Sequence, residues 1–141
     1  MHAQKLILVV DRREESLILF HQILRRHGYD VVLAASPEEA LEQSRRHRPD
    51  LILMDPGVAG DAAAALAGRL REDAHAGAVP IAALSAEATG LERSLREAGF
   101  CAVVPRRTTL RRLLESVRRC LEGSVGRVAW QGVPDPARAP A

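Results

Sequence analysis

Leu51-Ile52-Leu53-Met54-Asp55-Pro56-Gly57-Val58-Ala59-Gly60 is the stretch on which the reading of the fold turns. Four apolar residues run into one aspartate, and a Pro-Gly loop follows at once. A short apolar run bounded by breakers reads as a strand buried on both faces, the signature of a parallel sheet. In open α/β sheets, ligands bind in the crevice outside the carboxyl ends of the strands. Asp55 is the residue that emerges there.

The same pattern recurs on both sides of this stretch. Upstream, Lys5 to Val10 forms a first apolar run that stops at Asp11. Leu17, Phe20, Ile23, Leu24 and His27 then recur at helical spacing, with Ile18 off that stripe and Gly28 as the stop. Tyr29 to Ala34 reads as the second strand. Ser36-Pro37-Glu38-Glu39 combines an N-cap, a proline at the first helical position and a capping box. That helix ends near Arg48, because Pro49 disfavours helix in the residue before it. Downstream, Asp61 is placed to cap an alanine-rich helix through Leu66 and Leu70 to about Asp73. Val79 to Leu84 is a fourth strand ending at Ser85. Thr89-Gly90-Leu91-Glu92 is a second capping box, opening a helix with Leu91, Leu95 and Ala98 on one face and Gly99 at its end. Cys101 to Val104 is a fifth strand. Thr108 or Thr109 caps a last helix with Leu110, Leu113, Leu114, Val117 and Leu121 inward, stopped by Gly123.

Five strand–helix units in strict alternation predict an α/β fold. It is a doubly wound, five-stranded parallel sheet with helices on both faces, joined by right-handed crossovers. At this length the expected strand order is 2-1-3-4-5, with its switch point between the first and third strands. That order makes Asp11, Arg12 and Asp55 neighbours, flanked by Ser85 and by the Pro105-Arg106 loop.

Composition narrows the function classes. The 141 residues suit one domain, 1–123, followed by a Pro- and Gly-containing tail, 124–141, without periodicity. Trp130 lies in that tail, either untethered or docked on the domain or a partner. Hydrophobic content of 47% with only 3% aromatics demands an aliphatic core. A formal net charge of +2 is too small to imply nucleic-acid binding. Cys101 and Cys120 have no histidine pattern that would make a zinc site, and are expected as reduced thiols. Leu6 to Val10 is too short for a signal-peptide core, and no run approaches a membrane span. The expected location is the cytoplasm.

Read together, these segments resemble the receiver domain of bacterial response regulators, from residue 5 to about 122. The resemblance rests on ILVVD (7–11), HGYDVVLAASPEEAL (27–41), RPDLILMD (48–55), VPIAALSA (79–86) and EAGF (97–100), in that order and spacing. It implies the CheY-like, flavodoxin-like form of the sheet. It also implies phosphoryl transfer from a histidine kinase or phosphotransfer protein to an aspartate, with Mg²⁺ offsetting charge on the phosphoryl oxygens. Asp55 matches the acceptor and Asp11 the first of an acidic pair. Gly57 falls where a backbone carbonyl would meet the ion, so Asp11, Asp55 and Gly57 are the implied metal ligands. Ser85 matches the hydroxyl that binds the phosphoryl group. Arg106 stands where the family has lysine, Arg107 where it has proline, and Val103 where it has an aromatic switch residue. Arg12 replaces the second acid. Ala59 stands where proline is frequent, whereas Pro56 follows Asp55 directly and removes one backbone donor.

Two carboxylates, Asp11 and Asp55, then face two guanidiniums, Arg12 and Arg106, for a local charge of zero. Such a site attracts a dication poorly. Either Arg12 takes the metal's place, or it points to solvent and a weak ion site survives. Either Arg106 keeps a phosphate-binding role, or it is one exposed member of the run Arg106, Arg107, Arg111, Arg112, Arg118 and Arg119. That run reads as a solvated face or as a surface for an acidic protein. The resemblance assigns dimerisation or output to the face of the fourth helix, fifth strand and fifth helix. An enzyme is not expected. Asp11-Arg12-Arg13 is no flavin phosphate loop, and Arg13 stands where a dehalogenase-like phosphatase needs a second acid. Two functions stay open: an atypical receiver that accepts phosphate on Asp55, and a pseudo-receiver acting as an interaction or dimerisation module.

Overall fold

The computed structural model describes residues 4–72, 79–85 and 92–123. The apolar runs become β1 (Leu6–Val10), β2 (Asp30–Ala34), β3 (Leu51–Met54), β4 (Ile81–Ser85) and β5 (Ala102–Pro105). All pair in parallel, in the expected order β2-β1-β3-β4-β5. The helices are α1 (Glu14–Arg26), α2 (Pro37–His47), α3 (Ala63–Glu72), α4 (Glu92–Glu97) and α5 (Leu110–Leu121). β4 starts at Ile81 and not at Val79. Pro80 has no N–H for the ladder, although its carbonyl still accepts from Ile52 at 3.0 Å.

Side chains alternate along each strand, so one run of residues supplies two cores. Leu8, Val10, Ile52, Met54, Ile81, Ala83 and Val103 face α2, α3 and α4 through Leu41, Leu66, Leu70 and Leu95. Ile7, Val9, Leu51, Leu53, Leu84 and Val104 face α1 and α5 through Leu17, Phe20, Leu24, Leu113 and Val117. Every residue of β3 is buried, as a central strand covered on both faces must be.

Helix ends follow their local chemistry. Ser36 Oγ accepts from Glu39 N at 3.2 Å, while the Glu39 carboxylate accepts from Ala35 N at 2.7 Å. Thr109, and not Thr108, caps α5, accepting from Arg112 N at 3.2 Å. Gly28 closes α1 with φ at +92°. Gly99 closes α4 at φ +96°, and the Arg71 guanidinium from α3 fills the space a Cβ would need there. Arg71 also donates to the Ala98 carbonyl at 3.2 Å, which pins the turn before β5.

Three expectations need correction. The chain after Asp55 forms two 3₁₀ turns, Pro56–Val58 and Gly60–Ala62, before α3 starts at Ala63. Asp61 therefore lies inside the second turn and not at the position that precedes α3. Leu110 is 46% exposed. The inward face of α5 runs through Leu113, Val117 and Cys120, so a leucine in its first turn projects past the edge of the core. His27 is likewise exposed, its ring Nδ1 lying 2.8 Å from the Ile23 carbonyl oxygen. The capping box at Thr89, Leu91, and the tail with Trp130 lie outside the described residues. Among the described residues, no helix is long and apolar enough to cross a membrane.

Candidate functional site: a carboxylate pair bridged by arginine

Four strand ends build the crevice. Val10 is in register with Met54, so the residues that follow, Asp11 and Asp55, leave β1 and β3 side by side. Backbone bonds fix both: Asp11 N donates to the Ala34 carbonyl at 3.0 Å, and Asp55 N to the Val10 carbonyl at 2.9 Å. Ser85 ends β4 in register with Pro105, and Arg106 N donates to the Ser85 carbonyl at 2.9 Å. The expected neighbours are therefore brought together.

β5 lies two strands away from β3, and adjacent strands are about 4.8 Å apart. Only a long side chain from β5 can cross the end of β4 and reach the carboxylates. Arg106 does so. Its Nη2 donates to Asp11 Oδ2 at 2.6 Å and to Asp55 Oδ2 at 3.0 Å. Its Nη1 donates to Ser16 Oγ in the first turn of α1 at 2.9 Å. The bridge is nearly dry: the side chains of Arg106, Asp11 and Asp55 are 12%, 0% and 15% exposed.

The remaining carboxylate oxygens are also engaged. Asp11 Oδ1 accepts from Arg13 N at 2.9 Å, and Asp55 Oδ1 from Gly57 N at 2.8 Å. Pro56 opens the 3₁₀ turn that Asp55 caps, which aims the Gly57 N–H back at the carboxylate. Each of the four oxygens of the pair thus accepts a hydrogen bond. Two carboxylates against one buried guanidinium leave a core charge of −1.

Arg12 is exposed, which corrects the idea that it takes the metal's place. Just beyond a strand, consecutive side chains point to opposite sides. With Asp11 turned inward, Arg12 turns out. Arg106 fills the space between the acids, so it is not a solvated member of the arginine run. Ser85 is partly buried at the rim, and Val103 is a core residue packed toward α2, α3 and α4. On α5, Arg118 pairs with Glu122 at 3.2 Å and Arg119 with Glu115 at 2.9 Å, while Arg107, Arg111 and Arg112 are exposed.

These donors do not fit a divalent ion. Mg²⁺ demands near-octahedral oxygen ligation at about 2.0–2.1 Å. A guanidinium already sits on both inner carboxylate oxygens, and the second acid is absent. Among the described residues, no group of three or more His, Cys, Asp or Glu side chains is arranged to hold a metal.

Ser16 was not legible as a site residue. It lies between Glu15 and Leu17 with no motif around it, and only the docking of α1 brings it to the crevice. Ser16→Ala should cost about 1.5 kcal/mol, the worth of a hydrogen bond to a charged group. Urea denaturation measures this, and an unchanged midpoint would remove Ser16 from the bridge.

Comparison with known proteins agrees with this fold. Residues 7–118 match the family model of the response regulator receiver domain. The polar-differentiation response regulator DivK of Brucella anthropi is 29% identical over 118 residues, 83% of this chain and 96% of that one. A putative response regulator from Chloroflexus aurantiacus superposes with a TM-score of 0.77 at 27% identity, covering 85% of this chain and 99% of the other. The chemotaxis protein CheY4 of Vibrio cholerae shares the fold with a TM-score of 0.77 at 22% identity, over 84% and 99%.

Proposed function

This chain belongs to the response regulator receiver family of two-component signalling, and on that premise we propose that it works as an arginine-bridged receiver. It acts as a protein-interaction module whose conformation is set by the Asp11–Arg106–Asp55 bridge and not by Mg²⁺-dependent phosphorylation. One observation carries the reading: Arg106 Nη2 lies between the two carboxylates a metal would need to share. Breaking a buried pair costs about 3–5 kcal/mol, so an ion that must displace Arg106 binds on the order of 10²–10³-fold more weakly than at a vacant pair. On this reading the module is cytoplasmic. Its partner is a protein, or a second copy, that meets the face of α4, β5 and α5, where Arg107, Arg111 and Arg112 favour an acidic surface.

A second reading is favoured by a specific feature. Asp55 is retained, slightly open to solvent, beside an arginine, and arginine binds phosphate well. Arg106 would then hold a phosphoryl group on Asp55 without a metal. Incubation with excess acetyl phosphate, with and without Mg²⁺, separates the readings by intact mass, with Asp55→Asn as control. The bridged module shows no phosphoryl adduct in either condition. An adduct indifferent to Mg²⁺ would establish the second reading. One that requires Mg²⁺ and disappears in the control would overturn both.

A further inference from the structure

At the opposite end of the sheet from the carboxylate pair lies a cavity of about 440 Å³, lined by Lys5, Asp50, Pro80, Cys101, Cys120 and Gly123 among others. Cys101 stands just before β5 and Cys120 in the last turn of α5, 19 positions on in the chain. Both are free thiols. They belong to the same core cluster, both line this cavity, and each thiol perturbs the other's ionisation. Cys120 is 2% exposed and Cys101 partly exposed, so the cavity is the approach to the pair.

We propose that Cys101 and Cys120 form an oxidative modification site that closes to an intramolecular disulfide when a small peroxide enters this cavity. Nothing in the reading of the Asp55 crevice requires it. The roles of the two sulfurs follow from their contact. The interaction between the two thiols holds Cys120 below its ordinary range, while the same interaction and burial push the Cys101 thiol up. Cys120 is therefore the attacking thiolate and Cys101 the resolving thiol, since the thiolate is the nucleophile.

The chemistry balances with the peroxide as oxidant. The Cys120 thiolate attacks one peroxide oxygen, and the O–O bond breaks to give a Cys120 sulfenic acid and hydroxide. Hydroxide takes the Cys101 proton and becomes water. The Cys101 thiolate then attacks the Cys120 sulfur, forming the S–S bond as the S–O bond breaks. The departing hydroxide takes up the proton released when Cys120 ionised. Two thiols and one peroxide yield one disulfide and two waters, and two electrons pass from sulfur to oxygen. A peroxide small enough to enter the cavity is required, because Cys120 lines it and is only 2% exposed.

The full chain is treated with equimolar hydrogen peroxide, blocked with iodoacetamide and digested without reductant. The expected result is a linked peptide pair joining Cys101 to Cys120, lost after dithiothreitol, with no disulfide-linked dimer. In Cys101→Ser the sulfenic acid has no resolving thiol, and dimedone should label Cys120. In Cys120→Ser, labelling at Cys101 should fall at least tenfold below that level. Each variant is first checked for native circular dichroism, and the wild-type peptide map decides the matter if either fails to fold. Two alkylated thiols after peroxide, mixed dimers, or sulfinic acid with no linked peptide would each overturn the proposal.

Discussion

Arg106→Ala is expected to destabilise the domain by about 3–5 kcal/mol and to make its stability depend on magnesium. In the native protein, Asp11 is fully buried and Asp55 nearly so, and one guanidinium serves both. Its removal leaves two close negative charges in a region with little water. The penalty is that of an unpaired buried charge and not the net worth of a surface ion pair, which is at most about 1 kcal/mol. A loss of this size lowers the melting temperature by on the order of 10 °C or more. A dication can then enter the space Arg106 vacates, and binding to the folded state alone raises stability with concentration. Thermal melts across a magnesium series should rise for the variant and stay flat for the native protein. Arg106→Met, which keeps the aliphatic stem, should behave alike, separating lost charge from lost packing. Equal magnesium responses in native and variant proteins would show that Arg106 does not exclude the ion.

This expectation depends on a residue whose role could not be read along the chain. The fold was legible because its signals are local. Apolar runs such as Lys5 to Val10 and Leu51 to Met54 end in breakers, and Ser36-Pro37-Glu38-Glu39 announces a helix start. The alternation of strands and helices then restricts the order of the sheet. The inventory of the crevice was legible too, since Asp11, Asp55, Ser85 and Arg106 each follow or end a strand. Occupancy of its centre was not. Arg12 sits next to Asp11 in sequence, yet chain direction turns it outward. Arg106 is distant in sequence, yet β5 and the length of its side chain deliver it between the acids. Ser16 enters only because α1 packs over β1. Leu110 illustrates the same limit on a helix: spacing gave the right periodicity, but which arc faces inward depends on where the sheet ends. The break of the Asp55 loop into two 3₁₀ turns has a related origin. Pro56 and the Asp55 cap favour a tight turn immediately, whereas the alanines that favour α-helix begin only at Ala62.

If the bridge is what sets this site apart from a metal-dependent receiver, replacing Arg106 together with the outward Arg12 should confer metal binding. Arg12→Asp with Arg106→Lys supplies the missing second acid and replaces the planar fork by a compact, flexible ammonium. The arginine donates to Asp11, Asp55 and Ser16 at once. A lysine can move its single charged centre aside at lower cost, because it lacks that fixed two-pronged geometry. With three carboxylates against one ammonium the local charge becomes −2. Coulomb attraction for a dication then acts in a poorly hydrated crevice, where it is screened less than at the surface. Relative to the native chain, magnesium affinity by isothermal calorimetry should rise on the order of 10²-fold or more, the free energy of the displaced bridge expressed as binding. Arg12→Asp alone should gain little, since Arg106 still lies between the acids. Arg106→Lys alone should gain an intermediate amount. The order of the three variants is the sharper test. If Arg12→Asp by itself accounted for the whole gain, the missing acid and not the bridging arginine would be what keeps the ion out, and Arg106 would be only a bystander at Asp55.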